Sequence, residues 1–417
     1  MPTYLAPDIY IEEVAGGARP IQGVGTSTAG FVGVAPNLAA HQNEAFAINN
    51  WMQFIREYVT DGSTSTPLSH AVYGFFQNGG QRCYVVNIGK SATIAGGGRN
   101  RVGLDLFEPV DEIAIVAAPG YSDAASYDAV LTHCEKMKDR VAILDAPAVV
   151  KDINQLTKVA GVSKSGKPAA ESASDPSASS PAAGGSAADS GGLRARQSDG
   201  GFGAFYFPWI TVRDPLANDN SMVDVAPSGH LAGIWSRSDS TRGVHKAPAN
   251  EVVRGALNVT YQLTREEQGV LNQIGVNCIR FFGREGIYVW GARTLADGSS
   301  EWRYLNVRRL FNMIEKSILN STRWIVFEPN NESLWKSIRR DISAFLTQVW
   351  RSGALLGSTP EQAFFVKCDE ETNPPEVIDS GMVVTVIGLA PVKPAEFIVF
   401  RISQHVGGTE TTVQGGA

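Results

Sequence analysis

The sequence predicts an α/β protein (α+β mixed) with two folded domains, and three observations carry that prediction. Residues 111–146 place a helical stretch between two apolar runs, as a βαβ unit does. Residues 305–350 carry two amphipathic helical patterns in succession. Residues 163–200 separate these regions with a stretch in which Ser, Ala, Gly and Pro fill 28 of 38 positions. A length of 417 residues is enough for two or three domains.

Each element follows from local chemistry. Pro2, Pro7 and Pro20 argue against helix in residues 1–27. There Ile9 and Ile11 alternate with Tyr10 and Glu12, which is strand periodicity. Residues 28–35 read as a short apolar strand, 50–58 and 67–78 as helices, and 83–88 as a buried strand. Gly79 and Gly80 supply the stop after the second helix. In the βαβ unit, strands at 113–117 and 141–144 flank a helix at 123–138, so the strands are expected parallel and adjacent. Residues 205–212 add another strand. Leu193 is the one large aliphatic residue in 163–200, too little to offset the entropy of ordering, and the segment is expected to be a disordered insert.

Toward the C-terminus, Val307, Leu310, Phe311, Ile314 and Ile318 share one helical face. Arg308, Arg309, Asn312, Glu315 and Lys316 lie off it. Residues 323–327 read as a short strand ended by Pro329. The next helix, capped by Asn331 or Ser333, carries Leu334, Ile338, Ile342, Phe345 and Val349 as its apolar stripe. Lys336, Arg339 and Arg340 fall on its polar side, and Gly353 closes it. Two strands end the chain, at 382–389 and 396–402. In the last, Ile398, Phe400 and Ile402 face one way and Phe397, Val399 and Arg401 the other. Both faces are largely apolar, so the strand expects cover on both.

The net charge of −6 gives no reason to expect nucleic acid as a partner. The N-terminus has no apolar leader and no apolar run approaches membrane-spanning length, so the chain is expected to be made in the cytoplasm and not to insert into a membrane. Cys83, Cys134, Cys278 and Cys368 have no metal-binding spacing and read as buried reduced thiols. Residues 161–168 resemble a phosphate-binding loop, but Pro168 stands where Ser or Thr would bind the metal, and no helix pattern follows. The turn after 113–117 has no GxGxxG. There is no GxSxG, and the six histidines are scattered without a metal-binding pattern. His133 reads as a surface group or a satisfied partner. No catalytic residue, cofactor or metal is expected.

Several motifs resemble those of contractile tail sheath proteins: PDIYIEEV at 7–14, RPIQGVGTSTAGFVG at 19–33, LSHAVYGFFQNGG at 68–80 with CYVV at 83–86, LNVRR at 305–309 and FEPN at 327–330. The likeness recurs along nearly the whole chain outside 163–200. It implies a structural sheath subunit that stacks as six-fold rings around an inner tube and contracts to drive that tube through a target envelope. Implied partners are further copies of itself, the tube protein, and baseplate and terminator or cap proteins. The implied place is a phage tail or phage-tail-like particle assembled in the bacterial cytoplasm. The short outer region leans towards an injection system of modest size. The resemblance also implies an inner domain built from 1–35 and 245–417, with an outer domain at 36–240 between them. Extended terminal arms would pair with neighbouring subunits: Ile9, Tyr10, Ile11 and Glu12 at one end, Phe397, Ile398, Val399, Phe400 and Ile402 at the other. Periodicity alone leaves pairing within the same subunit equally open. By analogy Lys336, Arg339 and Arg340 would face the tube; the plainer reading is a solvated basic face. A nucleotide-binding α/β enzyme and a static tube or terminator protein are the alternatives.

Overall fold

The computed structural model describes residues 20–91, 93–97, 101–161, 191–217 and 219–399. A nine-stranded sheet organises the described residues between 29 and 290. Its strands are β1 (Ala29–Gly33), β2 (Phe46–Ile48), β3 (Cys83–Asn87), β4 (Ile115–Ala117), β5 (Val141–Asp145) and β6 (Gly203–Phe207), with β9 (Glu251–Val252), β11 (Val276–Phe281) and β12 (Ile287–Trp290). A small second sheet is formed by β7 (Ile210–Arg213), β8 (Met222–Val225) and β10 (Asn258–Val259). The large sheet runs in the order β2-β3-β1-β4-β5-β6-β11-β12-β9. The strands from β3 to β11 are parallel, and the two edges are antiparallel. β1, β4, β5 and β6 are buried at every residue, because helices cover both faces. On one face lie α1 (Trp51–Tyr58), α2 (Pro67–Gln77) and α4 (Ser228–Arg242); on the other lie α3 (Ala124–Met137) and α5 (Arg265–Gln273).

Strand order reverses between β1 and β4, the place where doubly wound sheets often bind ligands. Here side chains fill it. A methyl on Gly33 would lie 3.5 Å from Leu68 and 3.8 Å from Tyr121, and one on Gly120 would lie 3.3 Å from Pro67.

Asp145 ends β5 at the start of α4. It accepts hydrogen bonds from the Ser228 backbone N–H (2.8 Å) and hydroxyl (2.6 Å). Burial outweighs these bonds and pushes its pKa up to about 7. In the unfolded chain the carboxyl ionises near its ordinary value of 3.8. Between these values unfolding releases a proton, so Asp145 makes stability fall as pH rises from about 4 to 7. Asp145→Asn should flatten that slope. Urea titrations of both proteins across this pH range check it, and equal slopes would exclude Asp145 as the source.

The C-terminal body holds α6 (Leu305–Ser321), α7 (Glu332–Arg351) and a hairpin of β13 (Phe364–Lys367) with β14 (Val386–Leu389). The stripe Leu334, Ile338, Ile342, Phe345 and Val349 is buried, as the spacing predicts. Asn331 caps α7 by accepting from the Leu334 N–H at 3.0 Å. The βαβ unit and its parallel pairing are also observed.

The large sheet runs past the expected boundaries at 36 and 240–245: β1 pairs with β3 and β4 across the first, and β6 pairs in register with β11 across the second. Other expectations need correction. The single strand expected at 205–212 is two strands in two sheets, separated at the cis peptide Phe207–Pro208, since proline cannot extend the ladder. The strand expected at 323–327 is a 3-10 turn at Arg323–Ile325. His133 is buried rather than on the surface, and desolvation lowers its pKa to about 4. Arg308, Arg309 and Asn312, read as a polar face, are buried at 5%, 3% and 4% exposure. Arg308 is held by Asn312 at 2.7 Å and stacks over Trp302 at 4.1 Å. All four cysteines are free and buried, as expected.

Residues 163–190 of the expected insert lie outside the described residues, and 191–200 belong to the fold. Arg194 bridges to Val159, Ala195 and Ser198 are buried, and Arg196 binds Asp128 (2.6 Å) and Glu135 (2.8 Å) on α3. The two ends of the segment are therefore side by side. Replacing 162–190 by a short Gly-Ser linker should leave the fold intact and change stability by no more than about 1 kcal/mol, the scale of loop-closure entropy. Thermal melts test this; a large loss would show that 162–190 packs on the body.

Candidate assembly surfaces

The hairpin is the first surface. Its inward side chains Phe364, Val366, Ile387 and Leu389 pack on the α6–α7 cluster. On the outer side, Phe365 is opposite Gly388 and Lys367 opposite Val386. The Phe365 ring occupies the space a side chain on Gly388 would need, with its Cε1 2.1 Å from that position. Phe365 and Val386 remain 58% and 44% exposed. This sheet has two strands among the described residues, so each strand leaves one edge unpaired there. Such an edge is a template for a further strand.

The second surface is the end of the described chain. After β14 the chain pairs with residues 354–356 through Leu356 N–H to Ala390 O (2.8 Å) and Val392 N–H to Ala354 O (3.1 Å). Glu396 is then gripped by Arg293, with Nε at 2.9 Å and Nη2 at 2.5 Å. The hydrogen bond to Glu396 raises the Arg293 pKa against a smaller opposing effect of burial. Beyond it Phe397, Ile398 and Val399 are about three-quarters exposed, at 75%, 74% and 77%. The strand expected at 396–402 is therefore absent over 396–399, and the double-sided cover it calls for is not supplied by the described chain. Phe400 and Ile402 lie outside the described residues, as do Ile9, Tyr10, Ile11 and Glu12.

At the other end, residues 20–28 lie along α6. Ile21 joins its apolar cluster, and the Val24 N–H donates to Ser317 Oγ at 3.0 Å. Arg309 donates to the Thr26 carbonyl at 3.0 Å and holds Asp239 through both Nη atoms at 2.9 and 2.6 Å. Lys316 reaches Asp139 at 2.5 Å, tying α6 to the sheet body.

The third surface is the basic side of α7. Lys336 pairs with Glu332 at 2.7 Å, Arg339 donates to the Cys368 carbonyl at 3.2 Å, and Arg340 pairs with Asp341 at 3.0 Å. Lys336 and Arg339 line a cleft with Asp369, Glu370 and Glu371. The three cations thus share a helix side, as the spacing predicts, but carboxylates of the same chain accompany them. The sequence reading missed those carboxylates, because Asp369–Glu371 are remote in sequence. It also missed Arg293, Asp239 and Thr26. No local pattern marks them: Asp239 stands in the polar run Ser236–Arg242 and Thr26 among Gly, Ser and Thr.

The profile of the phage tail sheath protein central domain matches residues 103–295, and that of the phage tail sheath C-terminal domain matches 297–405. The two meet just after β12. The tail sheath protein of Vibrio phage KVP40 is 31% identical over 191 residues, 45% of this chain and 27% of that one. The match thus spans about a quarter of the length of that relative. Among solved structures, the sheath of an extracellular contractile injection system (PVC) in the contracted state superposes with a TM-score of 0.74 and 29% identity, covering 97% of this chain and 99% of that one. The contracted helical sheath of the anti-feeding prophage gives 0.72 and 28%, covering 97% and 100%. With its central and C-terminal regions both matched in order, and its fold shared nearly end to end, the chain belongs to the phage tail sheath family.

Proposed function

We propose that this chain is the sheath subunit of a contractile injection system, polymerising as stacked six-fold rings around an inner tube and shortening to drive that tube through a target envelope. The observation that carries the reading is the likeness to a contracted sheath over nearly the full length of both chains. The solved sheaths it resembles belong to an extracellular contractile injection system and to the anti-feeding prophage, which favours an injection device. Self-association and a baseplate are the nearest partners, since a similar chain is part of an anti-feeding prophage baseplate structure. A tube protein and a cap follow from the same reading. Assembly takes place in the bacterial cytoplasm. No described helix is long and apolar enough to cross a membrane.

The joints are strand additions. Residues 397–402 and 9–12 would pair with the free hairpin edges of neighbouring copies, covering Phe365 and Val386. Each main-chain hydrogen bond contributes about 1 kcal/mol net, and the lattice multiplies it. Lys336, Arg339 and Arg340 would meet acidic groups on the tube. Because Glu332 and Asp341 already pair with two of them, each tube contact is worth less than about 1 kcal/mol and breaks easily on contraction.

Electron microscopy tests the reading. The chain alone should give hollow striated cylinders, and co-expression with its tube protein should give longer, narrower ones. A chain ending at Glu396 should give neither. Dispersed monomers from the full chain under both conditions would refute the sheath reading; cylinders from the truncated chain would refute the arm.

A further inference from the structure

Both described chain ends are fastened to one helix, to the residue before it, or to Arg293, which bridges to that residue. Val24 and Thr26 are held by Ser317 and Arg309 of α6. Val392 is held by Asn306 of α6, whose Nδ2 donates to its carbonyl at 3.1 Å. Glu396 is held by Arg293, and Tyr304, the residue before α6, donates to it at 3.4 Å. The gripping residues of α6 are themselves fixed: Asn306, Arg309 and Ser317 are 1%, 3% and 0% exposed. Asn306 and Ser317 are eleven positions apart, roughly 16 Å along a helix axis.

We infer that α6 is the strut that passes tension from one terminal segment to the other, with the Arg293–Glu396 fork as the clamp that sets where the C-terminal segment leaves the subunit. The inference rests on the reading that the terminal segments pair with neighbouring copies. Its physical basis is the kind of bond found at that point. A bidentate guanidinium–carboxylate pair, 11% and 16% exposed, is charge-assisted and fixed in direction. It stands immediately before the exposed run Phe397–Val399, where pulling on that segment would first be felt. Without it only the long Tyr304 contact remains on Glu396, and the next firm fastening is Val392. Four more residues would then be free, adding up to about 13 Å of slack. Slack of that size exceeds the spacing between strands and leaves the register of a donated strand undefined. The clamp positions the segment and does not itself touch a neighbour.

Glu396→Gln keeps the side-chain shape and removes the charge. The isolated chain should melt within about 3 °C of the unsubstituted protein, the shift expected of a loss near 1 kcal/mol. Its critical concentration for forming cylinders should rise about tenfold, equivalent to about 1.4 kcal/mol. Arg293→Lys, which keeps the charge without the fork, should also raise it. The exchange Arg293→Glu with Glu396→Arg should recover most of the loss. Cylinders from Glu396→Gln at the unsubstituted concentration, when the chain ending at Glu396 forms none, would overturn the clamp while leaving the arm intact. Failure of the exchanged pair to recover assembly at an unchanged melting temperature would overturn it as well. Absence of cylinders from the unsubstituted chain would overturn both this inference and the sheath reading.

Discussion

Replacing Arg309 by alanine is expected to cost about 3–5 kcal/mol of folding free energy, because it strands a buried carboxylate. Arg309 and Asp239 are 3% and 5% exposed at their side chains and meet at 2.6 Å. Asp239 also accepts from the Thr26 hydroxyl at 2.5 Å, and the guanidinium lies 4.8 Å from the Trp235 ring centre. Removing the cation therefore unsettles residues 20–28, α4 and α6 together. Removing both charges, with Arg309→Met and Asp239→Leu, should do less harm than Arg309→Ala alone, since no unpaired charge remains. Denaturant titrations of the three proteins decide it. A double variant as unstable as the sum of its parts would mean that packing, not charge, dominates there.

The second large effect is at the α2–α4 contact. Gly229→Val should destabilise by about 3 kcal/mol or more, at the upper end of the cost of overpacking. A side chain at Gly229 would meet the Ala71 Cα at 2.2 Å and its carbonyl oxygen at 2.3 Å. These are backbone atoms, so no rotamer change relieves the clash and the helices must separate. Trp235, fully buried on α4, would report the separation through its near-ultraviolet circular dichroism. Gly269 on α5 is the control. A methyl there meets nothing within 4 Å, and Gly269→Ala should stabilise by about 0.5–1 kcal/mol. A Gly229→Val protein with the melting temperature and spectrum of the parent would show that the contact is looser than described.

Legibility in the sequence followed from how each element is buried. β4, α3 and β5 were readable because two-sided burial demands unbroken apolar runs around a helix. α7 was readable because its buried side is apolar, Asp341 excepted, and its other polar residues lie off that side. The apolar face of α6 was read correctly at Val307, Leu310 and Ile314, but the burial of its polar residues was not. This helix buries Arg308, Arg309 and Asn312, and a buried ion pair has the same residues as a solvated face. The pairing of β6 with β11 was invisible, since an apolar strand carries no record of its neighbour. Arg196 and Ser198 were lost inside a polar stretch, although Arg196 fastens that stretch to α3. Of the candidate surfaces, the apolar run after Glu396 was legible as one needing cover. Its clamp was not, because Arg293 lies 103 positions away.

That separation has a counterpart at the other end, where Val24 is fastened to a residue 293 positions later. During synthesis at about 5–20 residues per second, residues 20–28 would wait tens of seconds for α6 to emerge. β6 likewise waits for β11 before its second edge is covered. The anchorage of the first segment is thus among the last events of folding. On the proposed reading, in which the terminal segments pair with neighbouring copies, a subunit would gain a defined direction for its leading segment only after most of its own chain had left the ribosome. Order of synthesis would then hold back association by nascent chains until the body that anchors them exists.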